Sequence, residues 1–398
     1  MGTDVKEIRA AAAREPPASA SFFDAPPSGV RPVASRVAGA AAPELEVRNL
    51  VKRYSGQSVV GPISFSVRAG EFVSLLGPSG CGKTTTLRCI AGFETPSEGG
   101  ILLAGERIDE EPPNRRNIGL VFQNYALFPH LSVFENVAFG LRIRRTGKAA
   151  IKQRVERALQ TVGLPEMAGR HPEQLSGGQQ QRVAIARSIV LEPRVLLFDE
   201  PLSNLDLKLR LQMRTELRAL QRRLGKTVVY VTHDQGEALA LSDRVVVMSK
   251  GRVEQIGPPR EIYERPASAF VADFIGNSNL LDVTVVEATA EATAIRTKAG
   301  LVLRGAPHPY LPGSQLVAMI RPEHIRIVSD EAGSSENRLS AVIEDVTYLG
   351  QEVQFRLRLA GQHTLMAVVQ GRVTDCETGS VVAIAISRAD IFLIAADR

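Results

Sequence analysis

Cysteine is scarce in this chain. Three stand among 398 residues, an odd number without the spacing of a metal site, which fits a reducing compartment. Long apolar runs are also missing: no stretch approaches the roughly 20 apolar residues that cross a bilayer. Residues 1–43 hold no apolar segment of the kind a secretory leader needs. They are rich in alanine and proline with scattered arginine, and they keep their acids, which argues against a transit leader. Pro16-Pro17, Pro26-Pro27 and Pro43 would break a helix there, so this arm reads as disordered. Nor does one charge sign dominate. The net charge of +5 is mild and its carriers are scattered, so it does not point to nucleic acid.

What the chain does have is length and one sharp motif. At 398 residues, two domains are the default. Gly77-Pro78-Ser79-Gly80-Cys81-Gly82-Lys83-Thr84, followed by Thr85, matches the phosphate-cradling pattern G-x-x-x-x-G-K-[ST] without a gap. Residues 71–76 before it read as a buried strand. Thr84 to Ile90 after it reads as a helix that Gly92 would cap. The glycines let backbone N–H groups approach a phosphate at the positive end of a helix. Lys83 would place its charge on the β- and γ-phosphates, and Thr84 its hydroxyl on Mg²⁺, which prefers hard oxygen ligands. Cys81 and Cys89 read as small packing residues.

The flanking chain alternates strands and helices. Strands are expected over residues 45–50, 63–67, 99–105, 118–123, 195–198, 227–231 and 245–248, and helices over 148–162, 179–190 and 205–224. That order predicts an α/β core with a parallel sheet, whose ligands bind at the carboxyl ends of the strands. From about residue 280 the texture changes to short alternating segments: 281–286, 316–320, 325–328, 339–347, 353–359, 381–386 and 391–394. This predicts a separate small all-β domain of barrel type, with residues 259–279, containing Pro259 and Pro266, as the connection.

Three further stretches fit a nucleotide hydrolase. Asp199 closes an apolar strand, where its carboxylate would hold Mg²⁺. Glu200, one residue on, would serve as general base for the attacking water. His233 follows the next strand and would orient that water against the γ-phosphate. Leu175-Ser176-Gly177-Gly178-Gln179 supplies a second anion site, with Ser176 as an N-cap and two glycines exposing backbone N–H groups. One ATP does not need two such helix ends from one core, so this turn is expected to close over the nucleotide of another subunit.

Taken together, the loop at 77–84, Gln123, Ser176–Gln179 about 20 residues before Asp199-Glu200, Ser203-Asn204-Leu205-Asp206 and His233 resemble an ATP-binding-cassette ATPase. The likeness covers about residues 44–250. Residues 128–137 and Arg321-Pro322-Glu323 look like the maltose-, sulfate-, iron- and polyamine-type importer ATPases. No core motif residue departs from the pattern; the proline-rich arm is not explained by the family. The resemblance implies a P-loop cassette over 44–279 with a helical subdomain at about 124–190. It implies a C-terminal OB-like (TOBE) regulatory domain over 280–398. It further implies adenine stacking on Tyr54, and nucleotide contacts from residues 77–85, Gln123, Ser176, Gly177, Gly178, Gln179 and Asp206. Mg²⁺ would be held near Thr84, Gln123 and Asp199. The apolar patch after Gln123 would receive a coupling helix of a membrane permease.

The expected protein is therefore an importer ATPase subunit, peripheral on the cytoplasmic face of a bacterial inner membrane. It would act as a homodimer sandwiching two ATPs, with a separate solute-binding protein upstream. Residues 274–281 look closer to the polyamine or iron importers than to the maltose ones, which makes spermidine or putrescine the first choice of solute; iron(III), sulfate or sugar are the alternatives. A soluble cassette protein acting on nucleic acid is disfavoured. A single cassette is present, no coiled-coil insertion interrupts it, and the tail is poor in aromatics that stack on bases.

Overall fold

The computed structural model describes residues 42–55, 57–328, 337–359, 363–371 and 376–396. The arm expected to be disordered lies, up to residue 41, outside the described residues. The centre is a six-stranded sheet in the spatial order Arg252–Gly257, Arg244–Ser249, Phe72–Leu76, Thr227–Thr232, Val195–Asp199, Ile118–Val121. All neighbours run parallel except the hairpin of the first two.

The mostly apolar runs of Phe72–Leu76, Val195–Asp199 and Thr227–Thr232 follow from burial on both faces. Phe72, Leu196, Phe198, Val228 and Tyr230 face a core shared with the helices Val133–Ile143, Lys148–Thr161 and Gly177–Ile189. Val73, Leu75, Val195, Leu197, Val229 and Val231 alternate with them and face the other core. That second core includes the helix Lys83–Ala91 and an antiparallel sheet of Gln57–Val67, Leu45–Tyr54, Glu98–Leu103 and Glu106–Arg107.

Capping chemistry sets the helix starts. Ser132 and Ser176 each form a reciprocal capping box, with Glu135 and Gln179 respectively. The helix expected from residue 179 therefore begins at Gly177, and the one expected from 205 begins at Leu207 because Asp206 caps it. Asn136 explains part of the importer-like segment 128–137. It is fully buried; its amide nitrogen donates to the carbonyls of Phe128, Leu131 and Ser132 while its oxygen accepts from the Phe128 N–H.

The connection at 259–279 folds further than expected, into the short helices Pro259–Glu264 and Ala269–Phe274. Pro259 stands in the first turn, where a missing N–H costs nothing. Beyond it lie two five-stranded antiparallel sheets within residues 279–395, joined by one apolar core. Three of their strands, Thr293–Thr297, Val302–Gly305 and Thr364–Gln370, were not expected. In the first, buried threonines at 293 and 297 take the core positions, so the apolar alternation is hidden. The fold is thus a P-loop α/β cassette with a helical part and a C-terminal all-β, OB-like unit.

Candidate functional site

The phosphate loop joins the fully buried strand Phe72–Leu76 to the helix Lys83–Ala91. Gly82 caps that helix in the left-handed region, φ 99°, and a Cβ there would stand 2.6 Å from Val60 Cγ2. At Gly77 a Cβ would meet the Met248 carbonyl oxygen at 2.2 Å, so only glycine fits beside the neighbouring strand. The Lys83 ammonium is buried and donates to the carbonyls of Gly77 (2.7 Å) and Pro78 (3.0 Å). The helix closes at left-handed Gly92, as the sequence indicated.

Across the strand ends, the Thr84 hydroxyl lies 3.5 Å from Asp199 Oδ1. Burial, and then the charge of Glu200, holds the Asp199 carboxyl above its usual range. Glu200 has φ 45°, a left-handed conformation that costs a residue with a Cβ roughly 1–2 kcal/mol. Its N–H is tied to the Val231 carbonyl, and its Oε2 lies 3.1 Å from His233 Nδ1. Gln123 donates to Ser203 Oγ at 3.3 Å, and that hydroxyl donates to the Glu200 carbonyl at 2.9 Å. Gln123 itself stands beyond the strand expected to end on it, since pairing stops at Val121. The Asn204 amide grips the Gln123 carbonyl. Lys83, Thr84, Asp199, Glu200, His233 and Gln123 thus meet at the carboxyl ends of the parallel strands.

No hydrogen bond among the described residues joins Tyr54, Ser176 or Asp206 to that cluster. Tyr54 is half exposed, with Lys52 Nζ 4.9 Å from its ring centre. The Ser176–Gln179 bonds close on each other at 3.0 and 3.4 Å. Asp206 accepts from the Leu209 N–H.

Glu237 escaped the sequence reading. It is buried and accepts hydrogen bonds from Tyr230 (2.7 Å) and Thr232 (2.8 Å), while Thr232 Oγ1 accepts from the Asp234 N–H. This network fixes the turn that presents His233. The available signal was Asp234, an N-cap three residues before Glu237. Gln181, also unforeseen, is fully buried, and among the described residues neither its amide nitrogen nor its oxygen has a hydrogen-bond partner.

A phosphate loop, a strand-end carboxylate pair and a capped Ser-Gly-Gly-Gln turn define a cassette-type nucleotide hydrolase, and likeness to known proteins narrows the class. The family described as ABC transporter matches residues 60–203, and the TOBE domain family matches 318–394. The spermidine/putrescine import ATP-binding protein PotA of Acidothermus cellulolyticus is 49% identical over 333 residues, 82% of this chain and 87% of that protein. The protein of the same name from Rubrobacter xylanophilus is 51% identical over 326 residues, 81% of this chain and 85% of its own. The Fe(3+) ions import ATP-binding protein FbpC 1 of Rhizobium meliloti is 48% identical over 313 residues, 79% of this chain and 87% of its own. Among solved structures, cbiO1 of Clostridium perfringens, part of the ABC transporter complex cbiONQ, aligns with a TM-score of 0.51 at 34% identity, covering 55% of this chain and 90% of that one. The chain belongs to the ABC transporter family, as an ATP-binding ATPase with a C-terminal TOBE domain.

Proposed function

We propose that the chain is the ATP-hydrolysing subunit of an importer whose solute is a polyamine, with iron(III) as the second choice. The observation that carries the hydrolytic part is the meeting of Thr84, Asp199, Glu200 and His233 across three neighbouring strand ends. The names of the relatives above support the solute class.

In this reading the loop 77–85 cradles the phosphates, and Lys83 swings from the Gly77 and Pro78 carbonyls onto them. Tyr54 stacks on the adenine. Thr84, Gln123 and Asp199 are the ligands offered to Mg²⁺. The donor set fits: Thr84 Oγ1 and Asp199 Oδ1 are hard oxygens 3.5 Å apart, and the Gln123 amide oxygen would be the third. Mg²⁺ supplies charge neutralisation on the phosphates. Glu200 takes the proton of the attacking water, and His233, held on the Glu200 carboxylate, orients that water.

The Ser176–Gln179 turn, with Asp206 at the next helix start, serves the nucleotide of a second copy, so two ATPs are sandwiched in a homodimer. A groove of about 670 Å³ beside the 122–128 loop, lined in part by Phe122, Phe128, Phe139 and Ile143, receives a permease segment. Phe139 and Ile143 are exposed there. The subunit then sits on the cytoplasmic face of the membrane; no helix among the described residues is long and apolar enough to cross it.

Uptake of labelled spermidine by a strain lacking the chain tests the solute. Restoration by the wild type, but not by a Lys83→Ala copy, is expected; unchanged spermidine uptake on deletion would reassign the solute. A mixed dimer tests the sandwich: Lys83→Ala on one chain, Ser176→Arg on the other, Glu200→Gln on both. One intact composite site should trap about one ATP per mixed dimer and none in either parent; no trapped ATP in verified mixed dimers overturns the arrangement.

A further inference from the structure

Two consecutive residues of the loop after the strand Ile118–Val121 are left-handed without being glycine: Tyr125 at φ 60° and Ala126 at φ 47°. An L residue does not hold that conformation unaided. One side chain grips both. Arg187, on the helix Gly177–Ile189, donates from its two terminal nitrogens to the carbonyls of Tyr125 (3.0 Å) and Ala126 (2.7 Å). Its guanidinium also lies over the Phe128 ring, 5.7 Å from the centre. Burial pulls the guanidinium pKa down. Next door, Ser188 Oγ donates to the Leu120 carbonyl at 3.0 Å, so one helix holds both the strand and the loop that follows it.

Two side chains leave this loop for the functional residues. Gln123 reaches Ser203 and through it the Glu200 carbonyl. The buried Tyr125 ring runs under the Ser176–Gln179 turn, its hydroxyl 3.9 Å from where a Cβ of Gly177 would stand. Ala126, Phe128 and Arg187 also line the groove described above.

We infer that Arg187 is a positioning residue for ATP turnover: it holds the loop 122–128 in the left-handed shape that sets Gln123 toward Glu200 and Tyr125 beneath Gly177. The inference rests on the ATPase reading. Because the same guanidinium forms part of the groove wall, a segment bound in the groove bears directly on the loop that carries Gln123.

Steady-state ATPase assays of the full chain, with thermal midpoints measured alongside, test it with three variants. Arg187→Met should lower kcat roughly tenfold or more while KM for Mg-ATP stays within about twofold, because the phosphate loop and Tyr54 are untouched. Arg187→Lys keeps the charge but only one donor nitrogen and should fall between. Arg187→Met with Ala126→Gly should regain at least about threefold in kcat, since glycine accepts a left-handed backbone without the Cβ penalty. An unchanged kcat in Arg187→Met overturns the inference. So does a loss that follows the folded fraction and is not recovered by Ala126→Gly. Absence of turnover in the wild-type chain would instead overturn the ATPase reading beneath it, and the variants alone cannot mimic that result.

Discussion

At the carboxyl ends of the parallel strands, polar side chains largely meet one another: Thr84 with Asp199, Glu200 with His233 and Gln123 with Ser203. In the C-terminal sheets the comparable polar side chains are consumed by the backbone. Asn279 bonds the Ile320 carbonyl and both main-chain groups of Met366. Asn337 does the same for Arg304 and adds the Ile386 carbonyl. Arg321, 2% exposed, donates to carbonyls from Tyr263 to Asn277 and to Ser278 Oγ, with its guanidinium 4.0 Å from the Tyr263 ring centre. By contrast, His233 is well exposed, and Glu200 and Asp199 are held side by side against their mutual repulsion. A polar group that satisfies its neighbours fastens a fold, whereas one kept in tension with them is available for chemistry.

That contrast can be broken at several points, the sharpest being Lys83. Lys83→Ala should cost at least about 100-fold in hydrolysis or abolish nucleotide binding, because no other loop side chain carries positive charge; malachite-green assays and ATP binding read both. Wild-type turnover would remove the phosphate loop from the chemistry. Glu200→Gln removes a base while keeping shape, and hydrolysis should fall by about 10²–10⁴ with ATP binding retained. An ATP-dependent monomer-to-dimer shift on a sizing column is the accompanying sign, and rapid turnover would move the base role to His233.

On the fastening side, Arg321→Met should leave several buried carbonyls unpaired and cost about 3 kcal/mol or more of stability, measured by denaturant melts, while kcat of the folded fraction changes little. A catalytic collapse without destabilisation would erase the distinction between the two regions. Smallest is Tyr54→Ala. Losing a half-exposed ring that stacks on adenine should weaken ATP affinity by ~1–3 kcal/mol, read by calorimetry. Unchanged affinity would leave Tyr54 as a support for Lys52 only.

Much of the nucleotide end was legible because its residues announce themselves locally. Glycines at 77 and 82 mark backbone that tolerates no side chain, and unbroken apolar runs mark strands covered on both faces. The carboxylates then fall at strand ends by register. The left-handed pair Tyr125-Ala126 carried no such mark, because neither residue prefers that conformation; Arg187, some 60 positions away, imposes it. Glu237 was hidden for a similar reason, since its partners Tyr230 and Thr232 come together only once the strand and the following helix pack. In the β unit, threonines at core positions masked the strand at 293–297, and the connection at 259–279 read as a linker although Pro259 opens a helix; Pro266 follows that helix's end.

The Arg321 contacts have a practical consequence for anyone exchanging C-terminal units between relatives. Helix Ala269–Phe274 contributes Ala272 to an apolar cluster with Val317, Met319 and Ile394, while its Val271 packs with Ile262 of the preceding helix and Val245 of the cassette. The segment 259–278 is therefore shared property. A chimera spliced at residue 279 would pair the incoming arginine with a foreign socket, whereas a join near Pro258 carries socket and arginine together. The transplantable module is longer than the β-sheets that define it by eye.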